Sequence, residues 1–200
     1  MNEQGSDEWF LERLGHVTAS CFADVMANGQ GITRIKYMRR LVAERLTGKP
    51  MESYYNRHME RGNEQEPYAR MAYEALTGNI VQETGFIKHQ QIMAGCSPDG
   101  LIDDDGGVEI KSVLPTVQIE TIERGTYPHD HAAQIQGSLW VTGRKWWDFV
   151  SYSPDLPECL RVYIYRVEPQ IGYIANLKNE VIKFLAEAEE MQNRLLARAA

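Results

Sequence analysis

The stretch that decides the fold is Cys96-Ser97-Pro98-Asp99-Gly100-Leu101-Ile102, then Asp103-Asp104-Asp105-Gly106-Gly107, then Val108-Glu109-Ile110-Lys111-Ser112-Val113. Two short apolar segments flank a run of Asp and Gly, the residue types that tolerate the left-handed backbone of tight turns. The pattern predicts a hairpin with arms 99–102 and 108–113. Alternate side chains of a strand share a face, so Glu109 and Lys111 point one way while Ile110 turns into the core. If the hairpin closes, Asp99 on the neighbouring arm meets Glu109. Two carboxylates held together repel, and a hard divalent cation relieves the repulsion through oxygen ligands. The Ile110 backbone carbonyl offers a further ligand. Lys111 beside the cation can orient or deprotonate a water, or stabilise negative charge on a phosphate. The competing reading is an acidic hairpin with one surface salt bridge. Asp103, Asp104 and Asp105 are read as solvated turn residues.

Working outward, the 200 residues carry 21 Lys plus Arg against 28 Asp plus Glu, a formal charge of −7, with 43% hydrophobic and 24% charged residues. That is ordinary globular usage and excludes a disordered tail, a collagen-like fibre and a coiled coil. A chain of this length buries roughly 70% of its unfolded surface, so one domain is expected. No apolar run approaches the roughly 20 residues of a membrane span. The start, MNEQGSDEWF, lacks the basic and apolar segments of a signal peptide. Cys21, Cys96 and Cys159 are odd in number and show no CxxC spacing, which suits a reducing cytoplasm. His89, His129 and His131 form no HxxxH pair, so no zinc site is expected. The acidic balance argues against indiscriminate coating of nucleic acid but leaves room for a local basic groove.

On the N-terminal side, Ser6 can cap a helix to about Leu14 with Gly15 as its stop, and Ser20 can cap a second that Gly29 ends. Thr33 can open a third, with Ile35, Met38, Leu41, Val42 and Leu46 at helical spacing before Gly48. A fourth covers about 59–76, with Pro67 either starting or bending it. Strands are expected at 79–88, 91–95, 146–153 and 160–167, helices at 116–124 and 129–141, and a long amphipathic helix at the end. The order gives one domain over 1–200: a helical part to about 78, a sheet from about 79 to 167, and a closing helix from about 168. The fold class is α/β, with a central mixed sheet flanked by helices.

Several motifs taken together resemble the phage lambda exonuclease family, the YqaJ-like viral recombinases. They are Trp9, Arg13-Leu14-Gly15, Val17-Thr18-Ala19-Ser20, Gly62 with Glu66, Cys96 to Leu101, Glu109-Ile110-Lys111, Ala133 to Gln136 and Trp140-Val141-Thr142. They run in the family's order from Trp9 to about Ser153. The resemblance implies a restriction-endonuclease-like PD-(D/E)xK nuclease core. It implies digestion of one strand of duplex DNA from the 5′ end with Mg2+, two ions being expected and Mn2+ a candidate substitute; the alternatives are an endonuclease on the same core, of restriction or junction-resolving type, and a non-catalytic DNA-end binding recombination protein. It also implies a 3′ single strand left for a RecT-like or Bet-like annealing protein, and a homotrimeric ring around the DNA. By resemblance, Asp99, Glu109 and Lys111 match the catalytic triad, Glu66 an additional acidic residue near the metals, and Gln134 the glutamine of an active-site helix, set to orient Lys111 or the scissile phosphate. Arg13, Ser20 and Ser97 match positions that hold the 5′ phosphate. Met59 aligns with an apolar residue that wedges between strands in the family, a core methionine being the competing and favoured reading. His131 stands where the family's best-known member has a tyrosine, and is read as filling space, touching phosphate or binding metal weakly.

The remaining candidates keep two readings each. Arg13 is a surface salt-bridge residue or a planar fork for phosphate oxygens. Ser20 is an N-cap, which is compatible with anion binding at a helix start. Arg34, Lys36, Arg39 and Arg40 crowd one helix and are a solvated face or a duplex-contacting groove. Trp146, Trp147 and Phe149 are core residues or base-stacking platforms.

Overall fold

The computed structural model describes residues 2–27, 32–51 and 57–199, with the side chains of 57–60, 63 and 199 outside that description. The elements are helix α1 (Asp7–Arg13), strand β1 (Val17–Thr18), α2 (Phe22–Met26), α3 (Ile32–Thr47), α4 (Arg57–Thr77), β2 (Ile87–Lys88), β3 (Ala94–Cys96), β4 (Gly100–Ile102), β5 (Gly106–Ser112), α5 (Pro115–Arg124), α6 (Ala132–Thr142), β6 (Trp146–Tyr152), β7 (Val162–Val167) and α7 (Ile171–Ala199). Ser6 caps α1, its hydroxyl accepting from the Trp9 N–H, and Gly15 beyond the helix has φ +71°. Among the described residues no helix is long and apolar enough to cross a membrane.

The α/β class with sheets flanked by helices holds, but the strands divide between two sheets. One has the order β1-β3-β2, the other β4-β5-β6-β7. In the larger sheet β4 runs antiparallel to β5, β5 parallel to β6 and β6 antiparallel to β7, with Glu109 opposite Phe149 and Lys111 opposite Ser151. The parallel step from β5 to β6 needs a crossover, which α5 and α6 supply. Val108 and Ile110 face α4, in a cluster with Ala69, Tyr73 and Val150. Trp147 and Phe149 pack with Ile135 and Leu139 of α6 on the opposite face. A third cluster joins Phe22, Leu41, Leu177 and Phe184 of α2, α3 and α7 over the small sheet.

Several expectations are corrected. The span 79–88 yields only the two residues of β2, because its partner there is a single bridge, Gln82 to Leu101. The hairpin turn contracts to Asp103–Asp105, with Asp103 at φ 42°, while Gly106 and Gly107 join β5. Gly107 pairs with both Leu101 and Trp147, and the strand needs glycine there because a Cβ would lie 2.3 Å from the Trp147 ring. Ser20 does not cap α2. It lies in a short 3-10 turn (Ala19–Cys21), and its hydroxyl bonds Thr18 instead. The stop assigned to Gly29 lies outside the described residues. Helix α4 runs through Pro67, buried Ala69 and Tyr73 holding it to the sheet despite the missing N–H. Trp147 and Phe149, at 0% and 1% exposure, are core and stack no bases.

Candidate active site

Asp99 immediately precedes β4, and Gly100 beside it allows Val81 to approach where a Cβ would sit 2.1 Å from its methyl. The closed hairpin then does what the sequence predicted. The Ile110 N–H donates to Asp99 Oδ2 at 2.6 Å, fixing that carboxylate across the hairpin from Glu109. Glu109 is 1% exposed. Its Oε1 accepts from Lys111 Nζ at 2.5 Å and from Gln134 Nε2 at 2.6 Å. Gln134 reaches it from α6, so it orients Glu109, where Lys111 or a phosphate had been expected as its target. Glu109 Oε2 is buried and has no hydrogen-bond partner among the described residues.

The charges report the same crowding. Burial pushes the Asp99 carboxyl well above its ordinary range, and the Glu109 charge pushes further, against the pull of Lys111. Burial alone lowers the Lys111 ammonium, but Glu109 and Asp99 more than offset it and the net shift is upward, so Lys111 is a charged donor and not a base in this state. Glu66 of α4 is raised by burial and by Glu109, while Arg70 opposes the shift from 3.3 Å. Burial pushes His131 down to about 4, with Lys111 adding to the effect. It stacks on Phe149 with ring centroids 5.4 Å apart, which favours the space-filling reading of a neutral imidazole.

An orphaned carboxylate oxygen beside a second carboxylate that resists ionisation is the signature of a missing positive charge. The donor set of Asp99, Glu109 and a backbone carbonyl is all oxygen, which fits a hard divalent cation that keeps several of its waters. Among the described residues, no three His, Cys, Asp or Glu side chains close into a metal cage. An open site of this kind leaves ligand positions for substrate oxygens.

Asp99 and Glu66 line a cavity of about 1230 Å3 that also takes in Arg13, Ser20 and Arg40. Arg13 Nη1 donates to Ser97 Oγ at 3.2 Å, and the Trp9 indole N–H donates to the same oxygen at 3.0 Å. The Arg13 guanidinium lies 3.8 Å over the Trp9 ring. The expected end-phosphate residues therefore meet, Arg13 and Ser97 directly and Ser20 in the same cavity.

The basic helix does not act as one face. Arg34 is 8% exposed, pairs with Glu187 at 2.5 Å and donates to the Val25 carbonyl, so the expected DNA contact is corrected to a core ion pair. Lys36 and Arg39 face solvent. The Met59 side chain lies outside the described residues.

Two features were not legible beforehand. Arg70 pairs with both Glu66 and Glu83, and only the i, i+4 spacing to Glu66 signals it. Asp148, 1% exposed, accepts from Tyr73 at 2.7 Å and from both prongs of Arg166 at 2.9 Å, tying α4 to β6 and β7.

The sequence profile of the YqaJ-like viral recombinase domain matches residues 8–145. A crystal structure of an alkaline exonuclease (LHK-Exo) from Laribacter hongkongensis is 42% identical, with 97% of this chain and 98% of that one covered and a TM-score of 0.90. LHK-Exo in complex with dAMP is 43% identical over the same shares, with a TM-score of 0.91. A phage related exonuclease from Haemophilus somnus shares the fold at 12% identity, with a TM-score of 0.67 over 92% of this chain and 96% of that chain. No curated protein matches.

Proposed function

This chain belongs to the YqaJ-like viral recombinase domain family, and we propose that it is a deoxyribonuclease that digests duplex DNA from its 5′ ends with Mg2+. The observation that carries the reading is the buried Glu109 carboxylate, held through Oε1 by Lys111 with Asp99 fixed across the hairpin, whose second oxygen, Oε2, has no hydrogen-bond partner among the described residues. The likeness to an alkaline exonuclease over 97% of the chain supports it. So does a relative that binds dAMP, a nucleoside monophosphate of the kind a 5′ exonuclease would release.

Asp99, Glu109 and the Ile110 carbonyl would hold the metal, with Glu66 nearby for a second ion. When bound, two such ions activate water and stabilise the leaving oxygen. Mn2+ has the same preference for oxygen donors and would substitute. The residues contribute the following. Gln134 and Lys111 hold Glu109 Oε1, which leaves Oε2 as the oxygen for a metal. The Lys111 ammonium orients the attacking water and offsets charge gathering on the scissile phosphate. Arg13, Ser97 and Ser20 hold the end phosphate. Ser97 Oγ already accepts two N–H groups, so its own proton is available to a phosphate oxygen.

The product would be a duplex with a 3′ single-stranded overhang, a substrate for a single-strand annealing protein. A homotrimeric ring would place an acidic exterior around a positive channel and retain DNA by topology; a monomer by light scattering at micromolar concentration would remove that part.

The test is release of acid-soluble nucleotides from linear and covalently closed circular duplex. Linear DNA is digested from the 5′ end, the closed circle survives, EDTA stops the reaction, and Lys111→Ala binds DNA without cutting it. Cleavage of the circle at the linear rate, or a Lys111→Ala variant with parental activity, overturns the reading.

A further inference from the structure

Three arginines line the cavity beside the hairpin; Arg70 is paired with Glu66 and Glu83, and of the other two, Arg13 and Arg40, the end-phosphate reading uses only one. Arg13 enters from α1 and rests on Trp9 and Ser97. Arg40 enters from α3. It lies 4.8 Å over the Tyr37 ring and donates to Cys21 Sγ at 3.2 Å. Tyr37 in turn accepts the Thr18 N–H, and Thr18 bonds Ser20, so both anchors of Arg40 adjoin the serine expected to touch the end phosphate. A thiol is a weak acceptor, and among the described residues most of the Arg40 N–H donors are left uncommitted.

Neither Arg13 nor Arg40 has a carboxylate within ion-pair distance among the described residues, whereas Arg34, Arg61, Arg70, Arg124 and Arg166 each have one. Glu44 lines the same cavity, but its carboxylate bonds the Met51 N–H. Glu44 acts on both cations from a distance, but with no carboxylate in ion-pair range among the described residues the two half-buried cations repel, and a dianion relieves that repulsion better than a monoanion. An internal phosphodiester carries one negative charge. A terminal phosphomonoester carries close to two above its second pKa of about 6.

Resting on the reading of the chain as a 5′ exonuclease, we propose that Arg40 is a specificity residue: with Arg13 it forms a two-cation seat for a terminal phosphomonoester dianion. Arg13 reads the presence of a phosphate, and Arg40 reads its second charge. An internal diester, or an end whose phosphate is esterified, satisfies only one cation, so the seat distinguishes a 5′-phosphorylated end from an internal position in a strand.

The experiment compares three otherwise identical linear duplexes ending in 5′-phosphate, 5′-methylphosphate and 5′-hydroxyl. Their affinities are measured in EDTA, where no cleavage occurs, and kcat/KM is measured with Mg2+. The wild-type protein is expected to bind the phosphate end about 10- to 100-fold more tightly than the methylphosphate end, the range of one charged hydrogen-bonded contact. Arg40→Gln brings those two ends within about threefold of each other while both stay ahead of hydroxyl, and Arg40→Lys keeps most of the difference. Equal wild-type binding of the phosphate and methylphosphate ends overturns the inference, as does an Arg40→Gln variant that keeps the full discrimination. The wild-type comparison decides even if Arg40→Gln fails to fold. A protein that discriminates the ends in EDTA but digests none of them with Mg2+ would sink the nuclease reading and leave the two-cation seat standing.

Discussion

Replacing Asp99 with Asn separates what the site does for chemistry from what it costs the fold. The substituted amide keeps the size of the carboxylate, and its oxygen can still accept the Ile110 N–H now donated at 2.6 Å. The charge beside Glu109 is what disappears. Two unit charges about 4 Å apart at an effective dielectric near 20 repel by about 4 kcal/mol, a ceiling for this pair. Lys111, bonded to Glu109 at 2.5 Å, offsets part of that, so D99N should stabilise the metal-free protein by about 1–2 kcal/mol, roughly 3–6 °C in Tm for a chain of this size. The sign follows from the raised Asp99 carboxyl. A group whose folded pKa lies above its unfolded value favours the fold while protonated, and that contribution is lost as pH rises through the folded pKa. In EDTA the wild-type protein should therefore lose stability as pH rises out of the acid range, and D99N should show a flatter profile. Mg2+ at about 100 times its Kd adds about 2.7 kcal/mol to the wild-type protein and far less to D99N. Nuclease activity of D99N falls below about 1% of the parent. The assay is thermal unfolding by circular dichroism from pH 4 to 9, with EDTA and with Mg2+. A D99N variant that melts below the wild type in EDTA at pH 8, or gains as much from Mg2+, refutes the argument that like charges await a cation here.

Tyr73→Phe removes the hydroxyl that donates to buried Asp148 at 2.7 Å and should cost about 1–2 kcal/mol in urea unfolding, with the m-value unchanged. Gly107→Ala forces a methyl to within 2.3 Å of the Trp147 ring and should cost about 1–3 kcal/mol by the same measurement, lowering yield before activity. His131, pushed down to about 4, stays neutral from pH 6 to 8; its imidazole proton resonances should titrate below pH 5, and His131→Gln should leave the pH–rate profile between 6 and 8 unchanged in shape. Because the unfolded imidazole takes up its proton first, this residue should weaken the fold as pH falls from about 6.5 toward 4, a loss that His131→Gln removes from the urea midpoint.

The hairpin and its three chemical groups were legible in the sequence because their geometry is local. Asp-Gly turn chemistry closes the chain on itself, period-2 alternation puts Glu109 and Lys111 on one face, and only nine residues separate Asp99 from Glu109. The helices of the N-terminal part and α7 were legible for the same reason, since capping and spacing act within a few residues. The family motifs extended this to Arg13, Ser20 and Ser97 as a group, though not to how they meet. What only the tertiary structure decided lies between residues far apart in the chain. Arg34 and Arg40 sit six residues apart on one helix with the same charge, yet the first is drawn into the core by Glu187 and the second opens onto the cavity. Gln134 serves Glu109 because α6 packs across the sheet face, and Asp148 binds Tyr73 and Arg166 because three elements converge there. A side chain's own pattern fixes which way it points along its element; which charge or cavity it meets there is set by the packing of the other elements.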